Sequence, residues 1–328
     1  MPTVGASLLV TSGGSLVGQA FCDVLEGRRE GLRVVAINSD LDAPHLLRFE
    51  CVDHVARLMS PGFTRQFLDV LAREQPDLIL AGRDDDVVAL AELAGGGRIE
   101  PGLLAGGSLA LARVLRDTAR TAEWAGNLGL PFAPTVALGP AHTHDALIEL
   151  AASSGGPWVI KPACSQGSKH VSVVTQLDDL LAAADREGFV AQPFLLPVDV
   201  GEAVRPWSFE DQGWEADIQV VLGPDAEIRA VASFVTRMKR GRPVTTRPYV
   251  DAALEELTRL WAEALSAAGW CGPVNIQVRR SPSGAWLPFE INPRLGGGTT
   301  LRARSGFDEM GTLLRAFLGI DLPRFTSQ

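Results

Sequence analysis

Near the C-terminus, the stretch VNIQVRRSPSGAWLPFEINPR places Asn275, Gln277, Glu290, Asn292 and Arg294 at spacings that carry chemical meaning. Read as a hairpin with a four-residue turn over residues 282–285, it sets Gln277 opposite Glu290 and Asn275 opposite Asn292. Strand alternation then sends Val274, Ile276 and Val278 to one face and the four oxygen-bearing side chains to the other. Facing Cβ atoms in such a pair lie about 4.5–5.5 Å apart, so one carboxylate and its amide neighbours can meet around a hard cation such as Mg²⁺. A site with so little charge leaves coordination positions for water and phosphate oxygens, which points to a nucleoside triphosphate. Arg294 continues the face toward phosphate, and Gly296, Gly297 and Gly298 let the backbone approach a reacting group. A solvated polar sheet face would show the same alternation, and a slip of one residue would scatter the set. Pro288 has no N–H and requires an edge or non-bonded position.

Those strands need a scaffold, and the chain supplies two kinds. SLLVTSGGSLVGQAFCDVLEG reads as a buried strand, a glycine turn and a helix over Leu16–Leu25. LRVVAINS is a second strand, and a helix over residues 64–74 followed by DLILAG continues the βα alternation of a small, mostly parallel sheet. TSGGSLVG puts Gly13, Ser15 and Gly18 at the positions of a dinucleotide fingerprint whose middle glycine is missing, so a purely structural turn is the stronger reading. GGGRIEPGLLAGG, residues 95–107, marks a seam, and one helix is expected over residues 109–128 before LPFAPT stops it.

Beyond that seam, PWVIKPA, VSVVT and FVAQPF read as strands, with SQGSKH as a polar loop and LDDLLAAADREG as a helix. Residues 195–213 have no clear period. WEADIQVVLGPDAEIRAVASFVTRM gives two alternating strands of an exposed sheet, residues 251–268 a helix, and Glu309–Leu318 the last helix. The fold class is therefore α/β and α+β: a Rossmann-like parallel-sheet domain over residues 1–108, then a second domain over residues 109–328 that includes a small lid at about 130–193.

Composition bounds the partners. The 328 residues carry a formal charge of −9, with 46% hydrophobic and 21% charged residues. This is an ordinary globular profile, and its acidity disfavours broad capture of nucleic acid or anionic membrane. Cys22, Cys51, Cys164 and Cys271 are too dispersed for a zinc site or a disulfide framework. No basic leader or long apolar run is evident, so a soluble cytoplasmic protein is expected. Within the acidic chain, TRMKRGRPVTTRPY gathers four arginines and a lysine, with Arg237 and Lys239 nearest the strand end, which suits phosphates, a substrate carboxylate or a plain solvated loop.

The pairing of NIQ with FEINPR, together with VIKPACSQGSKHV upstream, resembles the ATP-grasp superfamily, in particular the branch with the large subunit of carbamoyl phosphate synthetase and the carboxylate–amine ligases. The resemblance covers most of the chain and implies a pre-ATP-grasp domain followed by the ligase core. It carries metal roles to Gln277, Glu290 and Asn292, and a phosphate role to Arg294. Lys161 resembles the lid-strand lysine that contacts ATP, and Ser165, Gly167 and Ser168 the small-residue loop that folds over phosphates. Gln192, Pro193, Phe194 and Leu195 resemble the adenine hinge, where relatives commonly have Glu at the first position. GWEADIQV resembles a segment that assigns Glu215 to ribose or metal-side contacts. Two departures stand out: His170 replaces a usual glycine, and Thr118 occupies the place of an early basic ATP contact that Arg116 or Arg120 would have to supply.

The function these expectations imply is an ATP-dependent ligase using Mg²⁺ or Mn²⁺, joining a small-molecule carboxylate to an amine through an acyl phosphate. Arg294 and Lys161 would be catalytic, with Gln277 also touching ATP beside Glu215, Arg237 and Lys239. Arg294, Gly297, Gly298 and Arg302 would meet the substrate, Arg304 being the alternative clamp. No nucleic acid or membrane partner is expected, and a homodimer only by analogy. A nucleotide-binding module without ligase activity, favoured by Thr118 and His170, is the alternative, and a dehydrogenase using the N-terminal glycine turn ranks last.

Overall fold

The computed structural model describes residues 5–139, 143–164, 167–202 and 207–326. Four parallel strands open the chain: β1 (Ala6–Val10), β2 (Leu32–Asn38), β3 (Cys51–His54) and β4 (Leu78–Leu80), in the spatial order β3-β2-β1-β4. They are flanked by α1 (Leu16–Leu25), α2 (Phe63–Glu74) and α3 (Asp84–Gly95). Ser15 caps α1, its Oγ accepting from Gly18 N–H at 3.0 Å. Gly18 is required because a Cβ there would lie 2.0 Å from the Gly13 carbonyl oxygen. That close approach of helix to turn is a packing reason for the glycine pattern.

Helix α4 (Leu109–Arg116) and helix α5 (Thr118–Asn127) replace the single helix expected over residues 109–128. The break is chemical: Asp117 is extended, and its carboxylate accepts from the N–H groups of Ala119 and Arg120, starting a new helix. The next unit is a four-stranded antiparallel sheet of β5 (Val136–Ala137), β6 (Trp158–Pro162), β7 (Ser172–Val174) and β8 (Phe189–Pro193), ordered β5-β8-β6-β7. With α6 (Thr143–Ser154) and α7 (Leu177–Leu181) it encloses its own small core around Leu147, Trp158, Ile160 and Leu180. Helix α7 stops well short of the span read from LDDLLAAADREG, the chain continuing in turns.

The central element is a five-stranded antiparallel sheet, β11-β10-β9-β12-β13, built from β9 (Gly213–Leu222), β10 (Ile228–Lys239), β11 (Arg242–Pro248), β12 (Gly272–Arg280) and β13 (Trp286–Asn292). The basic loop read at residues 237–248 is a hairpin here, because Arg242–Pro248 pairs with β10. Nor is the sheet exposed at β9, which is buried along nearly its whole length. Helix α8 (Ala252–Ala267) covers one face, where Trp261, Ile218, Val220 and Val274 share a continuous core with Leu9, Phe67 and Ile79 of the parallel sheet. The glycine loop after β13 leads into α9 (Thr299–Arg304) and then α10 (Glu309–Leu318). The latter returns to the first sheet, packing Met310, Leu313 and Leu314 into the cluster of Leu8, Val10 and Phe21. Among the described residues no helix is long and apolar enough to cross a membrane.

Candidate active site

The β12–β13 hairpin pairs Gln277 with Glu290 and Asn275 with Asn292, but reaches that pairing by a route the sequence conceals. Near the turn the ladder runs Arg280 to Trp286, Arg279 to Leu287 and Val278 to Pro288, one residue out of the expected register. A bulge at Phe289 then restores it. Pro288 is tolerated because β13 is the sheet edge. The bulge leaves the Phe289 carbonyl outside the ladder, where it accepts from Lys161 Nζ at 2.8 Å and from Gln192 Nε2 at 3.5 Å.

Beside the hairpin, β9 aligns Asp217 with Gln277 and Gln219 with Asn275, extending the polar face across three strands. Its members are loosely tied. Asn292 Nδ2 lies 3.4 Å from both Asn275 Oδ1 and Gln277 Oε1, and Asn275 Nδ2 lies 3.4 Å from Asp217 Oδ1. Gln277 also donates to Glu215, whose other oxygen faces Arg279 at 3.3 Å. Lys161 Nζ stands 3.6 Å from Glu290 Oε2.

Burial governs the electrostatics. It pushes Glu215 up to about 7, with Arg279 opposing and Asp217 adding to the rise. Burial likewise raises Asp217, and it lowers Lys161 against the pull of Glu290. Asn275 and Asn292 meet their neighbours on this face only at 3.4 Å, and burial holds Glu215 and Asp217 above their ordinary range, a condition that a divalent cation would relieve. The residues present therefore fit Mg²⁺, with Glu290, Asn292 and Gln277 all lining the cavity.

Over this face lies a cavity of about 1250 Å³, roomier than the roughly 300–1,000 Å³ of a single-ligand pocket. Its walls come from all three sheets. Gln192, Pro193, Phe194 and Leu195 form one end. There Phe194 N–H is taken by Pro157 O at 2.9 Å, whereas Leu195 N–H has no partner among the described residues. Gly167 and Ser168 line the roof, and Ser168 Oγ accepts from Gln212 Nε2 at 2.8 Å. Ser165 lies outside the described residues. His170 adopts a left-handed backbone, φ 60°, which glycine would take without strain.

Lys239, Gly297, Gly298 and Arg294 also face the cavity. Arg294 is held by Asp84 Oδ2 at 2.7 Å and by Asn292 Oδ1 at 2.9 Å. Arg302 reaches the wall from a buried two-pronged pair with Glu309, both contacts at 3.0 Å. Arg237 does not join them. Alternation along β10 turns Thr236 to the cavity and Arg237 outward, where Asp211 at 2.8 Å and Glu202 at 3.3 Å hold its guanidinium. Thr118, Arg116 and Arg120 are not among the cavity residues either: Thr118 N–H donates to Ala163 O at 2.9 Å, Arg116 pairs with Asp85 at 2.7 Å, and Arg120 is exposed. Sequence reasoning passed over Asp217, Arg279 and Asp84. The alternation Glu215, Asp217, Gln219 was a readable signal for the first, while the other two declare themselves only through long-range pairing.

No family model matches the chain. It is 27% identical over 326 residues to a formate-dependent phosphoribosylglycinamide formyltransferase of Synechococcus sp. (strain RCC307), covering 98% of this chain and 78% of that protein. It is 26% identical over 343 residues to the carbamoyl phosphate synthase large chain of Rubrobacter xylanophilus, covering 98% of this chain but 31% of that longer protein. Among solved structures, the biotin carboxylase–β-γ-ATP complex of Campylobacter jejuni superimposes with a TM-score of 0.70 at 17% identity, over 97% of this chain and 72% of that one.

Proposed function

We propose that this chain, a member of the ATP-grasp superfamily of ATP-dependent C–N ligases, joins a small carboxylic acid to an amine through an acyl phosphate. The observation that carries the proposal is the oxygen face of Gln277, Glu290 and Asn292, set against Lys161 beneath a cavity large enough for a nucleotide and a second substrate. The adenine would lie against the hinge, where the Leu195 N–H, without a partner among the described residues, offers a donor to a ring nitrogen. Mg²⁺, when bound, neutralises charge on the phosphate oxygens and orients the γ-phosphoryl group.

The chain's own groups supply the rest. Lys161, fixed by the Phe289 carbonyl, presents its ammonium to the phosphates and exchanges part of its contact with Glu290 for them. Gly167 and Ser168 exclude water from above. Arg294, oriented by Asp84, faces the charge that develops as the substrate carboxylate oxygen attacks phosphorus and the bond to the ADP oxygen breaks. The amine then attacks the acyl carbon and expels phosphate, losing its proton to solvent. No side-chain nucleophile is required, since such transfer depends on positioning and charge stabilisation.

The test is ADP release with Mg²⁺ against pools of small acids and amines. Stimulation of at least roughly tenfold by one acid–amine combination is expected for productive positioning. Persistent silence despite measurable ATP binding would assign the chain to the non-ligating module instead, a reading favoured by the lack of an arginine or lysine from residues 116–120 at the cavity wall.

A further inference from the structure

The roof of the cavity is a strained piece of chain. Gly167, Ser168 and His170 all have left-handed backbones, with φ of 64°, 56° and 60°. A non-glycine residue keeps that conformation only where its surroundings over-determine it. Little of that support comes from burial, since Gly167, Lys169 and His170 are exposed and Ser168 is half-buried. Among the described residues, the only hydrogen bond joining residues 167–171 to the chain beyond β8 runs from Gln212 Nε2 to Ser168 Oγ, at 2.8 Å.

Gln212 is enclosed, at 7% exposure, and every polar group it owns is used. Its backbone is fixed from both sides, the N–H donating to Met238 O at 3.0 Å and the C=O accepting from Arg279 Nη2 at 2.9 Å. Its Oε1 accepts from Gly241 N–H at 2.7 Å, which leaves only Nε2 to face Ser168. Because the Ser168 oxygen accepts that bond, its own O–H proton is free to turn into the cavity. Gly241 makes the turn between β10 and β11, and a Cβ there would lie 2.4 Å from the Gly167 carbonyl oxygen. Roof and turn thus meet backbone to backbone, and one buried amide fastens them. Arg279 also faces Glu215 at 3.3 Å, so the same residue joins the roof to the polar face on the cavity floor.

We infer that Gln212 is a positioning residue for the nucleotide: it sets Gly167, Ser168 and Lys169 over the phosphates, and its bond to Ser168 must break before the nucleotide leaves. Lys169 lines the cavity with no ion-pair partner among the described residues, and the same bond holds its neighbour in place. The bonds of Gln212 to Met238, Arg279 and Gly241 do not involve the roof, so the arm stays where it is when the roof lifts. This rests on the nucleotide-binding part of the ligase reading and adds to it the residue that governs exit.

The experiment is stopped-flow release of a fluorescent ADP analogue from the full chain in Mg²⁺, chased with excess ATP. Gln212→Ala and Ser168→Ala should each speed release by about fivefold or more, as expected for one lost hydrogen bond, and the double variant should release no faster than the faster single. Gln212→Met, similar in length but without either polar end, takes its place in the cycle should Gln212→Ala fail to fold. Effects that multiply in the double variant, or single variants that release like the parent, overturn the inference and leave the ligase reading standing. Failure of the parent protein to bind the analogue removes both.

Discussion

Strands β1 and β9 occupy equivalent places, each flanked on both sides within its sheet and each buried, yet they are built to opposite rules. In β1, Leu8, Leu9 and Val10 are all inaccessible, as expected for a parallel strand covered by helices on both faces. In β9, Trp214, Ala216, Ile218 and Val220 alternate with Glu215, Asp217 and Gln219, which are just as enclosed at 3%, 5% and 2% exposure. Desolvating two carboxylates costs several kcal/mol unless partners compensate; Glu215 has Arg279 beside it, whereas Asp217 feels Arg302, a guanidinium already paired with Glu309. A fold concerned with stability alone would have continued the apolar rule. The polar row is where the fold departs from that rule, and two of its members, Glu215 and Asp217, line the cavity.

The contrast can be broken most sharply at Glu290. Glu290→Gln should reduce ATP-dependent turnover by roughly 100-fold or more while leaving thermal unfolding close to the parent's. A large fall in melting temperature without loss of activity would make the polar face structural. On the apolar side, Leu9→Ala should cost about 2–5 kcal/mol in denaturant unfolding, with the KM for ATP in the folded fraction unaltered.

Glu215 sharpens the comparison through pH. In the ligand-free protein it keeps its proton up to about pH 7, whereas an unfolded glutamate releases it near 4.5. The folded state thus holds the extra proton between those values, so this group's stabilising contribution falls as pH rises through the window and levels off above it. Glu215→Gln should remove that segment of slope, seen as the difference between parent and variant melting temperatures from pH 4.5 to 8. An unchanged slope would place the titration elsewhere.

A smaller effect separates two neighbours on β10. Lys239→Ala, at the cavity end of the strand, should raise the KM for ATP severalfold, while Arg237→Ala, whose guanidinium is held outward by Asp211 and Glu202, should leave it within about twofold, consistent with exposed ion pairs contributing little. The smallest is at the roof: His170→Gly should stabilise the chain by at most about 1 kcal/mol in unfolding, by relieving a left-handed backbone.

The local physics of this fold was legible. The apolar spacing of LVGQAFCDVL after the glycine turn marked helix α1 to its ends, and alternation placed the oxygen face of the hairpin. Features that depend on distant partners were not. Arg237 and Lys239 look alike in sequence, and only the distant acids Glu202 and Asp211, which hold Arg237 away from the cavity, separate it from Lys239 at the strand's end. Asp117 splits a helix that hydrophobic spacing runs straight through, because a cap acts through backbone N–H groups that periodicity does not register. Arg294 meets Asp84 across 210 residues of chain, a separation at which no local pattern gives a signal.

The extra residue at Phe289 makes the length of the β12–β13 connection a quantity under strict control. Side chains alternate sides, so adding or deleting a single residue between the turn and the bulge would exchange Glu290 with Ile291 and present hydrocarbon to the cavity. Exposed Pro282, Ser283 and Ala285 at the tip can change identity, whereas Gly284 holds a left-handed backbone, φ 89°, and the number of residues is tied to the bulge. Divergence in this hairpin should therefore proceed by substitution, or by paired insertions and deletions that preserve the count.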